Sequence, residues 1–254
     1  MRYENVLCIY PHKREMRAIG FLPPLGLEYV ASAIEDTVET VKIIDLRHED
    51  RPLDSFIDKK TDLVLISYNW DVENDFVEET IRSIPDHIAV VVGGRHATEN
   101  TNELLEAIPR IDGIARGDGE ELAKELVQKG ISREISGLSF RENGTIVHNP
   151  NRVLVSPNSR FFPNRKLRRY KYMVAREGFQ TDLQVDLMLG SRGCPYNCKF
   201  CDFKFNPLGE KRKWAARTAE SVVAEIKTIE AGMVAFADDI FTANMDWVER
   251  VCDL

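Results

Sequence analysis

The chain has 254 residues, of which 43% are hydrophobic and 30% charged, and its formal net charge at pH 7 is −7. This composition excludes a disordered, collagen-like or coiled-coil chain, and the acidic balance argues against general nucleic-acid binding. No apolar run approaches the ~20 residues needed to cross a bilayer, so we expect no membrane span. Because the N-terminus also lacks the apolar core of a signal peptide, the sequence predicts a cytoplasmic protein.

Strand and helix signals alternate along residues 1–130. Apolar runs predict strands at Val6–Tyr10, Val41–Leu46, Leu63–Ser67, Ile88–Val92 and Gly113–Ala115. Helices are predicted between them, from Pro24 onward and over Leu53–Lys59, Glu73–Ile84, Thr101–Ile108 and Glu120–Gln128. Strands that are apolar on both faces are typical of parallel sheets covered by helices. The pattern therefore predicts an α/β fold with a doubly wound parallel sheet, Rossmann-like in architecture and flavodoxin-like in strand order.

Changes in pattern and charge indicate the domain boundaries. Asn143-Gly144 lies between two strand-like runs and is a hairpin signal, which closes a first domain at residues 1–149. Residues 150–184 form a basic connector, in which the stretch 151–176 has eight basic residues and no acidic one. A second βα series occupies residues 185–254. Since two βα units cannot bury both faces of a sheet, we expect the chain to be the N-terminal portion of a longer protein.

The cysteine distribution indicates metal or redox chemistry. Three of the five cysteines, Cys194, Cys198 and Cys201, lie within eight residues directly after a predicted strand. An odd, clustered count is not typical of a disulfide framework. Structural zinc takes four closed ligands, whereas a 4Fe–4S cluster held by three cysteines keeps one iron open for chemistry. The sequence therefore favours a 4Fe–4S cluster, with a zinc site as the alternative.

The cysteine loop resembles the CxxxCx(aromatic)C signature of radical SAM enzymes. The resemblance implies that the three cysteines ligate the cluster, that Phe200 contacts the adenine of S-adenosylmethionine (SAM), and that residues 185–254 are the first part of a partial TIM barrel. The segment FADDIFT at 236–242 resembles one that follows the second barrel strand in one branch of these enzymes. This second resemblance implies that Asp238, Asp239 or both contact the SAM amino group. The alternative for this acidic pair is helix N-capping.

Three glycine-containing segments of the first domain resemble the cobalamin-binding domain that is fused to the same branch. They begin at Gly20, Val92 and Arg116, and glycine after a strand lets backbone approach a large ligand. The implied cobalamin contacts are Gly20, Ser67, Tyr68, Gly93, Gly94, Arg95, His96, Gly117, Asp118, Gly119 and Glu120. The alternative for the glycines is a role in turns only. Since no histidine follows an aspartate by two positions, the cobalt-ligating Asp-x-His-x-x-Gly motif is absent, and we expect cobalamin to be held without that imidazole.

Together these resemblances imply a cobalamin-dependent radical SAM enzyme with a 4Fe–4S cluster, SAM and cobalamin as cofactors. The first expectation is a C-methyltransferase that acts on an unactivated carbon through a 5′-deoxyadenosyl radical and methylcobalamin. Alternatives are a cyclase or rearrangement enzyme without methyl transfer, a non-catalytic cobalamin-binding sensor, and a zinc-bearing adaptor. A methylthiotransferase is disfavoured, because it would need a second cysteine cluster and only Cys8 lies in the first domain. The implied partners are a small-molecule substrate and an external electron donor such as flavodoxin or ferredoxin.

Overall fold

The structure is a computed structural model that describes residues 1–13, 22–72, 74–153, 162–176, 179–201, 208 and 213–254. The chain divides into two units. The described residues of the first unit lie within Met1–Arg17, Pro24–Val155 and Phe161–Tyr170. Those of the second lie within Ala18–Pro23, Ser156–Arg160 and Lys171–Leu254. Each unit has its own sheet, and we describe each by itself.

Seven strands form the sheet of the first unit, in the order β2-β1-β3-β4-β5-β6-β7. Their bounds are β1 Asn5–Tyr10, β2 Thr40–Asp45, β3 Leu63–Ser67, β4 Ala89–Gly93, β5 Gly113–Ala115, β6 Leu138–Glu142 and β7 Thr145–His148. Strands β1 to β5 are parallel, which confirms the predicted doubly wound sheet and its flavodoxin-like order. The hairpin β6–β7 adds antiparallel strands at one edge. Its turn residues Asn143 and Gly144 have φ of 52° and 79°, as a two-residue hairpin turn requires.

Five α-helices in the described residues of the first unit accompany this sheet. They are α1 Leu25–Ile34, α2 Asn74–Arg82, α3 Arg95–Glu99, α4 Thr101–Ala107 and α5 Glu120–Lys129. The predicted helix at Leu53–Lys59 is shorter in the structure, which has a 3-10 helix over Leu53–Phe56 and another at Leu46–His48. Phe56 is buried, and Leu53 and Ile57 pack partly buried against the same core, so the apolar residues of this segment contact the core although only four residues are helical. No helix in the described part of the chain is long and apolar enough to span a membrane.

Alternate residues of the parallel strands supply two layers of core. Leu7 and Ile9 of β1 belong to the layer that α2 and α4 cover, and Val6 and Cys8 belong to the layer that α1 and α5 cover. Cys8 is fully buried, and burial raises the pKa of its thiol to about 12. Cys8 is therefore a core residue, which agrees with its position in an apolar strand. Since both faces of the sheet are occupied by helices, the carboxyl ends of the strands are the expected place for a ligand.

The second unit contains a three-stranded sheet in the order β12-β9-β8. Its elements are β8 Met173–Arg176, β9 Phe179–Met188, the ribbon strands β10 Ser191–Arg192 and β11 Ala215–Ala216, α6 Ala219–Ile226, β12 Met233–Phe236 and α7 Met245–Asp253. Strand β12 is parallel to β9, with α6 between them in sequence, so β9-α6-β12 is a βαβ unit. Thr218 caps the start of α6, because its side chain accepts a hydrogen bond from the Ser221 backbone N–H.

Residues 162–170, which the sequence assigns to the connector, contact α1 in the first unit. The Asn164 backbone N–H donates to Ser32 Oγ at 2.6 Å, and its side-chain amide donates to Glu35 Oε2 at 2.5 Å. Further along, the Arg168 guanidinium donates to both carboxylate oxygens of Glu28, at 2.5 and 2.7 Å. This part of the basic stretch therefore stabilises the first domain by polar contacts with a helix that is far away in sequence.

Arg168→Ala is expected to lower the free energy of unfolding by ~3–5 kcal/mol, because it removes the guanidinium that donates two hydrogen bonds to a buried carboxylate. The Glu28 side chain is 1% exposed and that of Arg168 is 9% exposed. The control is Lys166→Ala, which removes an exposed positive charge two residues away and is expected to cost less than about 1 kcal/mol. Urea denaturation of both variants measures the difference, and equal costs would contradict the role assigned to this ion pair.

Candidate functional site

Three neighbouring loops of the first unit bring together most of the residues implied to contact cobalamin. In the sheet register, Ser67 at the end of β3 faces Gly93 at the end of β4, and Gly93 faces Ala115 at the end of β5. The segments that follow these strands contain Tyr68, Gly94, Gly117, Asp118 and Gly119, together with Arg95 and His96 at the start of α3 and Glu120 at the start of α5. Gly20, the remaining residue of that set, lies outside the described residues. The structure thus forms one candidate site at the carboxyl edge of the sheet.

The turn between β4 and α3 depends on Gly94 and on the side chain of Asn69. Asn69 Oδ1 accepts a hydrogen bond from the Arg95 backbone N–H at 3.1 Å, and its amide donates to Ser67 Oγ at 2.8 Å. Gly94 has a φ of 108°, and a Cβ there would lie 2.7 Å from Asn69 Oδ1 and from the Tyr68 carbonyl oxygen. Both its backbone conformation and this close approach therefore require glycine. We did not single out Asn69 from the sequence, and its signal is an amide two residues after a strand end.

The loop after β5 is connected to the same turn through Thr98. The Gly117 backbone N–H donates to Thr98 Oγ1 at 3.2 Å, and that hydroxyl donates to the Gly94 carbonyl oxygen at 2.8 Å. Gly119 has a different role, because a Cβ there would lie 2.9 Å from Val30 Cγ2 on α1. Gly94 and Gly117 therefore shape the loops, whereas Gly119 permits the close packing of α5 against α1.

Tyr68 supports this site from inside the fold. Its side chain is fully buried, its hydroxyl donates to Asn74 Oδ1 at 2.6 Å, and its ring packs against the His96 ring with centroids 4.4 Å apart. Burial, together with the nearby carboxylates of Glu78, Asp71 and Asp75, raises the pKa of Tyr68 to about 12. In contrast, the Trp70 side chain is 49% exposed, so it lies at the protein surface in the loop that follows β3.

Tyr68→Phe is expected to change how stability depends on alkaline pH. The phenol pKa rises from 10.0 to about 12 on folding, so its contribution is complete below pH 10 and is lost as the pH rises through about 12. The wild-type protein should therefore lose more stability than Tyr68→Phe between pH 10 and 12. At neutral pH the variant should be about 1 kcal/mol less stable, because it lacks the bond to Asn74. Chemical denaturation at pH 8 and pH 11 measures both effects, and parallel losses in the two proteins would contradict this assignment.

In the second unit, the three clustered cysteines follow strand β10. All three are free thiols; Cys198 is exposed, and Cys194 and Cys201 are partly exposed. Phe200 between them is 91% exposed. Within the described residues, no three His, Cys, Asp or Glu side chains are placed so that they could hold a metal ion, so the structure does not bring the three thiols together. Ligand convergence of this kind is coupled to metal binding, because the ion neutralises the thiolates that it gathers.

The acidic pair after β12 contacts the backbone of the cysteine loop. Asp238 accepts hydrogen bonds from the Gly190 backbone N–H and from Ser191 Oγ, and Asp239 accepts one from the Gly193 backbone N–H. Burial raises the pKa of Asp238 above its ordinary value. Helix capping, the alternative for this pair, belongs instead to Asn244, whose side chain accepts from the Trp247 backbone N–H at the start of α7.

The residues present fit an iron–sulfur cluster better than a closed zinc site. Three free thiols lie in one partly exposed loop, whereas structural zinc needs four protein ligands. The two other cysteines are separate from this loop, since Cys8 is buried in β1 of the first unit and Cys252 lies on α7. A donor set of three thiols is the one that leaves an iron of a 4Fe–4S cluster open.

Comparisons with known proteins concern both units of the chain. A family model, "B12 binding domain", matches residues 17–127. The chain is 32% identical over 263 residues to the uncharacterized methyltransferase PH0819 of Pyrococcus horikoshii, covering 96% of this chain and 55% of that protein. It is 23% identical over 271 residues to an anaerobic magnesium-protoporphyrin IX monomethyl ester cyclase of Cereibacter sphaeroides, covering 98% of this chain and 43% of that protein. The chain thus spans about half the length of these curated relatives.

A solved structure resembles the chain along nearly its whole length. It is that of the cobalamin-dependent S-adenosylmethionine radical enzyme OxsB with aqua-cobalamin and SAM bound, with a TM-score of 0.73 and 17% identity, covering 99% of this chain and 37% of that one. At this identity the likeness is one of fold. Residues 17–127 therefore match a B12-binding domain, and the chain has the fold of cobalamin-dependent radical SAM enzymes, in agreement with the resemblance of its motifs.

Proposed function

We propose that the chain is the cofactor-holding part of a cobalamin-dependent radical SAM C-methyltransferase that acts on a small molecule. The observation that carries this proposal is the presence, in one chain, of a B12-binding domain and a three-cysteine loop that is hydrogen-bonded to the Asp238-Asp239 pair. When bound, the cluster and SAM supply a radical that abstracts hydrogen, and cobalamin carries the methyl group. The protein supplies position and the exclusion of water.

In this proposal the strand ends of the first unit bind cobalamin. Gly93, Gly94 and Gly117 let backbone approach a flat ligand, and Arg95 and His96 lie at the first positions of α3. The other residues of the proposed cobalamin site are Gly20, Ser67, the buried Tyr68, Asp118, Gly119 and Glu120. The His96 ring packs on Tyr68, and its Nδ1 lies 3.3 Å from the Asn100 side-chain amide. The proposal that cobalamin is held without a protein imidazole on cobalt rests on the absence of the Asp-x-His-x-x-Gly motif.

The second unit would hold the cluster and SAM. Cys194, Cys198 and Cys201 provide the three thiolates, and the exposed face of Phe200 is free to stack on adenine. Asp239 is exposed and carries the carboxylate that can pair with the SAM ammonium group. Reduction of such a cluster needs one electron from outside, so an external donor such as a flavodoxin or ferredoxin is part of the proposal.

The test is an assay of the full-length protein, reconstituted anaerobically and given SAM with a deuterated methyl group. The assay mixture also contains a metabolite extract of the organism that makes the protein. A methyltransferase should convert one of these metabolites to a product that carries the deuterated methyl group, and 5′-deoxyadenosine should accumulate. The Cys201→Ala variant is the control and should form neither. If neither compound forms with the wild-type protein and a chemical reductant, the proposed activity is wrong, and a cobalamin-binding sensor or a zinc-bearing adaptor becomes the better account.

A second candidate function is a radical cyclisation or rearrangement that uses cobalamin without methyl transfer. The observation in its favour is the similarity to a magnesium-protoporphyrin IX monomethyl ester cyclase along 98% of this chain. The same assay separates the two activities. A cyclase should produce 5′-deoxyadenosine while the product lacks the deuterated methyl group.

A further inference from the structure

Both oxygens of the Asp238 carboxylate accept hydrogen bonds from residues that lie just before the cysteine loop. Its Oδ1 accepts a hydrogen bond from the Gly190 backbone N–H at 2.8 Å, and its Oδ2 accepts one from Ser191 Oγ at 2.5 Å. Asp238 is partly buried, and hydrogen bonds to a charged acceptor are stronger than neutral ones. The end of β12 is therefore bonded to the chain only a few residues before the first cysteine.

Two further side chains, those of Asp239 and Trp214, add contacts to this connection. Asp239 Oδ2 accepts from the Gly193 backbone N–H at 2.9 Å, and Gly193 directly precedes Cys194. From the other side, Trp214 Nε1 lies within hydrogen-bond distance of both Ser191 Oγ, at 3.0 Å, and the Ile240 carbonyl oxygen, at 3.1 Å. The indole thus joins the loop entrance to the residue that follows the acidic pair.

Close packing explains why the loop begins with glycine. A Cβ on Gly190 would lie 2.8 Å from the Trp247 ring and 3.3 Å from Asp238 Oδ2. Because Gly190 has no side chain, the Asp238 carboxylate can approach the Gly190 N–H while the Trp247 ring of α7 packs close to the same residue. That indole is itself fixed, because Trp247 Nε1 donates to the Arg217 carbonyl oxygen at 2.7 Å.

We propose that Asp238 is a positioning residue that fixes the start of the cysteine loop, and that the SAM contact of the acidic pair falls to Asp239. This inference rests on the proposed function for its consequence, but its evidence is the hydrogen bonding of Asp238 itself. Since both Asp238 oxygens accept bonds from Gly190 and Ser191, a SAM ammonium group would have to compete with the loop for that carboxylate. Asp239 is exposed and makes one bond to Gly193.

The first test measures the cysteine loop in the full-length protein without iron. Alkylation of Cys194 by iodoacetamide should be about tenfold faster in Asp238→Ala than in the wild type, which corresponds to about 1.4 kcal/mol of lost restraint. Ser191→Ala, which removes one contact without a change of charge, should also accelerate alkylation. Glu249→Ala removes an exposed charge on α7 and should leave the rate unchanged. Equal rates in the wild type, Asp238→Ala and Ser191→Ala would overturn the proposal.

The second test uses the reconstituted protein and the EPR spectrum of its reduced cluster. Asp238→Ala should hold less iron than the wild type, and Asp238→Asn, which keeps an acceptor for the Gly190 N–H, should restore it. The SAM-induced change of the spectrum should persist in Asp238→Asn and be lost in Asp239→Ala. The opposite pattern, with normal iron in Asp238→Ala and the SAM-induced change lost only in the Asp238 variants, would overturn the proposal. If the wild type holds no iron, the proposed function is wrong, and the alkylation rates alone decide the role of Asp238.

Discussion

Alanine at any one of Cys194, Cys198 and Cys201 is expected to reduce the iron content of the reconstituted protein from about four atoms per chain to less than about one. Three thiolates are the smallest set that holds such a cluster with one open iron, so two leave it exposed to loss. The measurement is iron and sulfide analysis together with the absorbance of the iron–sulfur chromophore. We expect the loss in each of the three variants.

Cys252→Ala is the matched control for these variants. Cys252 is also a free and exposed cysteine of the second unit, but it lies on α7 and not in the loop. Its substitution should leave the iron content unchanged. Retention of iron by all three loop variants, or its loss in Cys252→Ala alone, would contradict the assignment of the cluster to this loop.

Gly94→Ala is expected to weaken cobalamin binding by at least about tenfold. The φ of 108° at this position costs an alanine about 1–3 kcal/mol. Its Cβ would in addition lie 2.7 Å from Asn69 Oδ1 and the Tyr68 carbonyl oxygen, so the turn would have to move. Because the same turn presents Arg95 and His96 at the strand ends, the shift should alter the proposed cobalamin site itself.

Gly26→Ala is the matched control, at an exposed position of α1 outside the turn. A Cβ there would have no heavy atom within 4 Å apart from the helix's own backbone. We therefore expect cobalamin affinity within about twofold of the wild type. Titration of the protein with cobalamin, monitored by the cofactor's absorbance, compares the two variants, while circular dichroism checks that both are folded. Equal affinities would show that the Gly94 turn does not form part of the site.

The strands and their order could be predicted from the sequence because burial on both faces leaves a local signal. Each parallel strand is a short apolar run, and alternation of five such runs with helical patterns restricts the topology. The predicted helix at Leu53–Lys59 is too long, since the structure has a 3-10 helix only over Leu53–Phe56. Apolar residues at helical spacing contact the core there, but a local pattern does not determine where so short a helix ends. Local pattern is thus reliable where a whole element is buried and weak where a connection is mostly exposed.

Contacts between distant residues could not be predicted in this way. Arg168 and Glu28 are separated by 140 positions, and Gly190 and Asp238 by 48, so neither pair leaves a local pattern. From the sequence, Arg168 is assigned to a connector and the SAM contact to Asp238, Asp239 or both, without the bonds that Asp238 makes to Gly190 and Ser191. The sequence also marked Gly93 and Gly94 as equivalent, whereas only the structure shows that Gly94 has a positive φ and no space for a Cβ.

The most direct test of the whole account is elemental analysis of the full-length protein, purified and reconstituted anaerobically with iron, sulfide and cobalamin. One measurement by inductively coupled plasma mass spectrometry gives iron, cobalt and zinc together. If the first domain binds cobalamin and the cysteine loop binds a 4Fe–4S cluster, the protein should contain one cobalt and about four irons per chain, with little zinc. Stoichiometric zinc without iron would contradict the cluster, and the absence of cobalt after removal of free cobalamin would contradict the cobalamin site.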